Sequence, residues 1–204
     1  MPELRSALSS HIASGRFGAP GEQLVFSEQP LGTLIQFSGW RGSFETAARP
    51  VMTRLGLDGI GAFDRAQASD KALAFRIAPE RLLLRLASAS DWAAIAPGID
   101  AAQTPMLDLS HSRTVLRAAG AAARDLMARL MPIDFDAQAF APGQFVQSGI
   151  HSTGVLVHRA ADEGGAPVFD IYMPRSFAAS LWDFVTQTAL PFGYRMETEV
   201  RPGR

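Results

Sequence analysis

The order of predicted elements occurs twice along the chain, and this internal repeat constrains the fold more than any single motif does. A strand, a glycine, a helix, two strands joined by a tight turn and a final helix are predicted in residues 31–96, and the same order returns in residues 112–190. Neighbouring strands joined by short turns form antiparallel sheets, which bury one face under helices. We therefore predict an α+β fold made of two similar halves related by a pseudo-twofold axis.

Three segments follow from this pattern. Residues 1–30 contain several glycines and prolines and little periodicity, which predicts an arm and loop, with a short helix conceivable over Glu3–Ala13. Residues 31–98 form the first half and residues 99–204 the second. We expect the arm to be too poor in apolar residues to fold alone.

Two helices carry specific expectations. In the first half, Ser43 should cap a helix over Phe44–Leu55 that Gly56 ends, and Pro50 should kink or split it because proline lacks a backbone donor. In the second half, Ser176 should cap the last helix. The residues expected to share a face of that helix are Phe177, Leu181, Phe184 or Val185, and Thr188.

Composition excludes several classes of function. The 204 residues are 47% hydrophobic and 19% charged, with a net charge of -1, so neither nucleic acid nor an anionic membrane surface is indicated as a partner. The chain has no cysteine, which excludes disulfides and thiolate chemistry and fits the cytoplasm. The serine- and arginine-bearing N-terminus lacks a secretory apolar region, although a transit peptide is conceivable.

Neither a metal centre nor a nucleophile is indicated by local spacing. The four histidines form no H-x-x-x-H or H-E-x-x-H pair, so no two of them share a helical face. They are His11, His111, His151 and His158. Ser110 and His111 are adjacent in an extended segment and should point to opposite sides, so we interpret this serine as a turn residue that satisfies backbone groups.

Two pairs of charged residues, one acidic and one basic, each allow more than one interpretation. Asp134 and Asp136 could share a strand face and raise each other's pKa, or they could form a solvated turn or helix cap after Pro132. Arg113 and Arg117 alternate on one strand face. They could meet a carboxylate or phosphate of a partner, or pair inside the chain with Asp108 or Asp125.

Several blocks of the second half carry a family resemblance. They are LDLSHSRTVLRAAG at residues 107–120 followed by AAARDLM, then PID, AFAPGQF, GVLVHR and FDIYMPRSFAASLWDF. In order and spacing they resemble the gamma subunit of heterotetrameric sarcosine oxidase. The resemblance implies a fold like the folate-binding domain of the aminomethyltransferases of glycine cleavage, which share the opening found here as Asp108-Leu109-Ser110-His111.

The sequence departs from the aminomethyltransferases at one functional position. Those enzymes carry a catalytic aspartate just after a glycine-rich strand, where this chain reads STGVLVH over residues 152–158 with no carboxylate. A carboxylate is needed to accept a proton there. We therefore expect no catalytic, cofactor-binding or metal-binding residue in this chain.

The resemblance also implies partners and cofactors. Alpha, beta and delta subunits would hold FAD, FMN, NAD, tetrahydrofolate and zinc, and the complex would oxidatively demethylate sarcosine or another N-methyl amino acid. The residues predicted to face partners are His111, Arg113, Arg117, Arg175 and Trp182. The alternative is a free-standing folate-binding or one-carbon transfer protein, in which Asp134 or Asp136 would have to supply the missing carboxylate.

Overall fold

The computed structural model describes residues 6–197, and it divides into two compact units. The central unit is Leu31–His111, and the terminal unit combines the residues up to Pro30 with those from Ser112 on. The predicted boundary lay at residues 98 and 99. Residues 99–111 instead belong to the central unit, because Met106–Asp108 pairs with its strand Thr33–Ser38.

The central unit is a five-stranded antiparallel sheet with two helices. In chain order its strands are β3 (Thr33–Ser38), β4 (Gln67–Ala68), β5 (Ala72–Ala78), β6 (Arg81–Leu86) and β7 (Met106–Asp108), and their order in the sheet is β4-β5-β6-β3-β7. The helices are α1 (Phe44–Arg54) and α2 (Ala89–Ile95). Strand β6 illustrates the alternation, because its residues Leu82, Leu84 and Leu86 enter one buried cluster with α1.

Helix α1 is continuous through Pro50, so the proline does not split it and that alternative of the prediction is wrong. Proline removes the bond that its N–H would donate to the carbonyl of Thr46, but both residues are exposed and water can satisfy that carbonyl. Ser43 makes no side-chain cap hydrogen bond. The helix ends at Arg54, and Gly56, which was predicted to terminate it, follows the C-cap Leu55 with a left-handed φ of 71°.

The terminal unit is a seven-stranded sheet with two helices. Its strands are β1 (Gly15–Phe17), β2 (Leu24–Gln29), β8 (Arg113–Ala119), β9 (Phe145–Ile150), β10 (Thr153–Arg159), β11 (Val168–Pro174) and β12 (Tyr194–Glu197). Their order is β1-β12-β2-β8-β11-β10-β9, and every neighbouring pair is antiparallel except β12 with β2. The helices are α3 (Ala123–Leu130) and α4 (Ala178–Ala189).

The predicted N-terminal arm is part of this sheet, which corrects the prediction of a loop. Strand β2 lies between β12 and β8, and its Leu24 and Phe26 are fully buried. The short alternation of LVFSEQ, bounded by Pro30, carried too few apolar residues to be recognised as a strand. The part of Glu3–Ala13 before residue 6 lies outside the described residues.

Helix α4 buries a face displaced by about one position from the predicted one. The residues in the core are Ala178, Leu181, Trp182, Val185, Thr186 and Ala189. Phe177 and Phe184 are 51% and 37% exposed. A 3-10 turn over Arg175–Phe177 precedes the helix, and Ser176 does not cap it. Helix α3 packs Leu126, Met127 and Leu130 into the same core, as predicted. None of the helices within residues 6–197 is long and apolar enough to cross a membrane.

Candidate functional site

The Asp108–His111 motif forms a turn at the end of β7. Both the backbone N–H and the hydroxyl of Ser110 donate to Oδ1 of Asp108, at 2.8 and 2.6 Å, and Ser110 Oγ accepts from Leu34 N at 3.0 Å. These bonds from Ser110 lower the pKa of Asp108, and the nearby charge of His111 adds a smaller contribution. The interpretation of Ser110 as a turn residue is confirmed, since its hydroxyl is held between two partners.

Arg117 forms the best-defined polar interaction of the terminal unit. It lies directly opposite Asp170 in the β8–β11 pair, with Nε to Oδ1 at 2.7 Å and Nη2 to Oδ2 at 2.9 Å. Its Nη1 also donates to Glu163 at 2.7 Å. Burial alone would lower the pKa of Arg117, but the hydrogen bonds and charge of Asp170, followed by the charge of Glu163, raise it. Arg117 therefore pairs inside the chain, one of the two predicted alternatives, although its carboxylate partners are neither Asp108 nor Asp125.

This ion pair is the centre of a polar row that crosses four strands. Ser27 on β2 is opposite Arg117, which is opposite Asp170, and Asp170 is opposite His158 on β10. Directly opposed residues share a sheet face, here the one that faces away from the Phe26, Leu116, Phe169 and Val157 positions of the core. Ser27, Asp170 and His158 are all less than 9% exposed.

The charged residues of the row are bound to each other, which limits the chemistry that they can perform. Both oxygens of Asp170 accept from Arg117, and Asp170 is only 2% exposed, so its carboxylate is engaged inside the sheet and is not open to a substrate. Sequence inspection missed the row because its members are separated by 12 or more residues and only the strand register brings them together. Charged residues inside two otherwise apolar strands were the one visible indication.

A second polar cluster stabilises the loops around β10. The side chain of Arg159 is 1% exposed, with Nη1 donating to the carbonyls of Ala160 and Val168 at 2.6 and 3.2 Å and an ion pair to Asp162. Arg124 donates to the carbonyl of Phe135 at 2.5 Å. Desolvation, and then the charge of Arg159, lower the pKa of Arg124. Both guanidinium groups thus satisfy backbone carbonyls, those of Ala160 and Phe135 in loops and that of Val168 at the start of β11.

Asp134 and Asp136 form a solvated turn, one of the alternatives left open by the sequence. Oδ1 of Asp134 accepts from Asp136 N, and Oδ1 of Asp136 accepts from Gln138 N, each at 2.9 Å. Both aspartates are exposed. Such side-chain-to-backbone bonds are what aspartate commonly forms in turns.

The remaining predicted partner-facing residues lie in different places. Arg113 and Arg175 are close, since Arg113 pairs with Pro174 and Arg175 N donates to the Ser112 carbonyl at 3.0 Å. Burial lowers the pKa of Arg113. His111 is exposed at the end of the central unit.

Trp182, which was among the residues predicted to face a partner, is buried in the terminal unit. It is 6% exposed and packs edge-to-face on Phe26, with ring centroids 5.9 Å apart. Any effect of Trp182 on a partner would therefore act through the core of the terminal unit. Within residues 6–197, no group of three or more His, Cys, Asp or Glu side chains is arranged to hold a metal ion.

Comparison with known proteins shows the fold. One chain of the heterotetrameric sarcosine oxidase from Corynebacterium sp. U-96, in complex with pyrrole 2-carboxylate, superposes with a TM-score of 0.73 and 19% identity. The match covers 91% of this chain and 91% of that one. Aminomethyltransferase T of the glycine cleavage system from Bartonella henselae matches with a TM-score of 0.57 and 17% identity.

The fold is like that of the sarcosine oxidase chain and of part of aminomethyltransferase T. This confirms the predicted α+β class, with two sheets dominated by antiparallel pairs and helices packed on them. The aminomethyltransferase match covers 87% of this chain but only 48% of the enzyme, so the chain spans about half of its length. No family model and no curated protein sequence matches the chain.

Proposed function

We propose that this chain is a non-catalytic subunit of a sarcosine oxidase-type flavoenzyme, in the position of the gamma subunit. The observation that carries the proposal is the mutual 91% coverage with one chain of a heterotetrameric sarcosine oxidase. A chain of about this size occurs there as a separate member of an assembly. The aminomethyltransferase, by contrast, continues over about as much chain again.

The chemistry of the terminal unit supports a role without catalysis. Strand β10 and the residues just before it offer no carboxylate, and Asp170, the buried carboxylate on the neighbouring strand, is held on both oxygens by Arg117. A general base must lie within hydrogen-bond reach of the proton that it removes, and Asp170 is only 2% exposed. The charged residues of the polar row therefore hold strands in register.

The rest of the assembly follows from the same proposal. Alpha, beta and delta subunits would carry FAD, FMN, NAD, tetrahydrofolate and zinc, and the complex would act in the cytoplasm. It would remove the methyl group of sarcosine or another N-methyl amino acid by oxidation and pass the one-carbon unit to tetrahydrofolate. This chain would contribute surface and stability to that assembly.

A free-standing folate-binding or one-carbon transfer protein is the second candidate, and the shared aminomethyltransferase fold favours it. It would need Asp134 or Asp136 as the missing carboxylate. Each has one oxygen that accepts a turn N–H, and each remains exposed.

The deciding experiment is affinity purification of the tagged full-length chain from its native host, followed by an absorption spectrum and subunit masses. We expect yellow material with flavin absorbance and three further chains in fixed ratio. A colourless protein that elutes alone would overturn the subunit proposal. Tetrahydrofolate titration of that protein, with Asp134→Asn and Asp136→Asn as variants, would then test the second candidate.

A further inference from the structure

A cleft in the central unit lies between helix α1 and the loop that follows α2, with a volume of about 270 Å³. The helix contributes one face, spaced i, i+3, i+4 and i+7, and the loop contributes the opposite wall. The lining residues are Ala47, Pro50, Val51 and Arg54 from the helix, and Gly98, Ile99, Asp100, Gln103 and Thr104 from the loop.

Arg54 brings a positive charge to this cleft. A Cβ atom built on Gly98 would lie 3.0 Å from Arg54 Nη1, so the guanidinium group rests against the loop backbone. Within residues 6–197 no carboxylate forms an ion pair with Arg54. Its position in the last turn of α1 favours a cation, but the helix terminus supplies only partial charge.

Asp100 brings a negative charge, and its position is fixed by the turn that it starts. Oδ1 accepts from Ala102 N at 2.9 Å, and its backbone carbonyl accepts from Thr104 N at 2.9 Å and Thr104 Oγ1 at 2.7 Å. In the described part of the chain, Oδ2 accepts no hydrogen bond. The cleft is therefore lined by a cation and an anion that are not paired with each other.

We propose that this cleft binds a small zwitterion of the α-amino acid class. The ligand carboxylate would bind the Arg54 guanidinium, its ammonium group would bind Oδ2 of Asp100, and its aliphatic body would lie against Val51 and Ile99. Two opposite charges on one short ligand match the two on the walls, whereas a simple carboxylate would be repelled by Asp100. The site goes beyond the proposed function and does not depend on it.

The test is an NMR titration of the ¹⁵N-labelled full-length chain with L-proline, a compact zwitterion with an aliphatic ring. Acetate and methylammonium at matched ionic strength serve as comparators. We expect saturable shifts at the amides of residues 98–104 and at Arg54 Nε, with a dissociation constant of about a millimolar. Acetate and methylammonium should each bind about tenfold more weakly, because each can form only one of the two charge-assisted contacts.

Four variants test whether proline binding depends on this cleft. Arg54→Gln and Asp100→Asn should each weaken proline binding about tenfold, and Asp100→Asn keeps the oxygen that holds the turn. Gly98→Ala keeps both charges but displaces the guanidinium, so it should weaken binding too. Arg49→Gln, which changes an exposed arginine of α1 outside the cleft, should leave it unaltered. Absence of saturation, equal response to acetate, or loss of binding in Arg49→Gln alone would overturn the proposal.

Discussion

At the scale of single residues, the Arg117–Asp170 pair should contribute most among the polar contacts. Asp170→Asn leaves the Arg117 guanidinium without its bidentate partner, and we expect a loss of about 2–4 kcal/mol in the free energy of unfolding, somewhat below a fully buried pair because Arg117 is 23% exposed. Urea unfolding measures it. Glu163→Gln is the matched control, since Glu163 is 56% exposed and should cost no more than about 1 kcal/mol. Equal losses of unfolding free energy in the two variants would show that the buried Arg117–Asp170 pair stabilises the protein no more than the exposed Arg117–Glu163 pair does.

The Ser110 turn makes a different residue-scale prediction. Ser110→Ala removes a bond to Asp108 and leaves Leu34 N without its acceptor, so we expect about 1–2 kcal/mol of destabilisation near neutral pH. The lowered pKa of Asp108 adds stability above its ordinary value of 3.8, and this part is lost as the pH falls through the folded-state pKa.

The difference between wild type and Ser110→Ala should therefore shrink as the pH falls, which urea unfolding across about pH 3–7 would measure. Ser9→Ala, at an exposed serine whose hydroxyl donates to the backbone carbonyl of Ser6, is the control and should show no such trend. If the difference in unfolding free energy stays constant with pH, the bonds from Ser110 do not lower the pKa of Asp108.

At the scale of elements, helix α4 carries one large aromatic residue in the core, Trp182, and one at the surface, Phe184, so the two can be compared. Trp182→Ala should cost about 3–5 kcal/mol, because the ring is buried against Phe26, and thermal unfolding should shift by roughly 10 °C. Phe184→Ala removes a ring that is 37% exposed and touches His151, so its cost should stay below about 1 kcal/mol. Similar losses for both would mean that the outer face of α4 is part of a core.

Across the whole molecule, sequence reasoning succeeded where periodicity is local and failed where only tertiary pairing decides. Strands β5, β6, β9 and β10 and the buried stripe of α3 follow from alternation and helical spacing. Strand β2 was missed because six residues with two buried apolar side chains do not stand out from a loop. The boundary of the central unit was missed because the pairing of β7 with β3 spans about 70 residues of chain.

The candidate site shows the same division. The turn role of Ser110 was predictable from its type and neighbours, whereas the partner of Arg117 was not, because Asp170 lies 53 residues away and only the β8–β11 register brings it opposite. Trp182 was assigned to the partner-facing residues, but it lies on the buried face of α4 with Leu181 and Val185. The Arg54–Asp100 cleft was not predicted, since neither residue belongs to a motif.

The parallel pairing of β12 with β2 has a consequence for biosynthesis. Strand β12 inserts between β1 and β2, yet it is made after every other strand, so the terminal sheet cannot close until translation has passed Glu197. The central unit is one continuous segment, and its contacts are complete once His111 has left the ribosome. Domains generally fold as units during synthesis. In the nascent chain the central unit should therefore be folded while one edge of β2 is still unpaired, because its partner β12 is synthesised near the C-terminus.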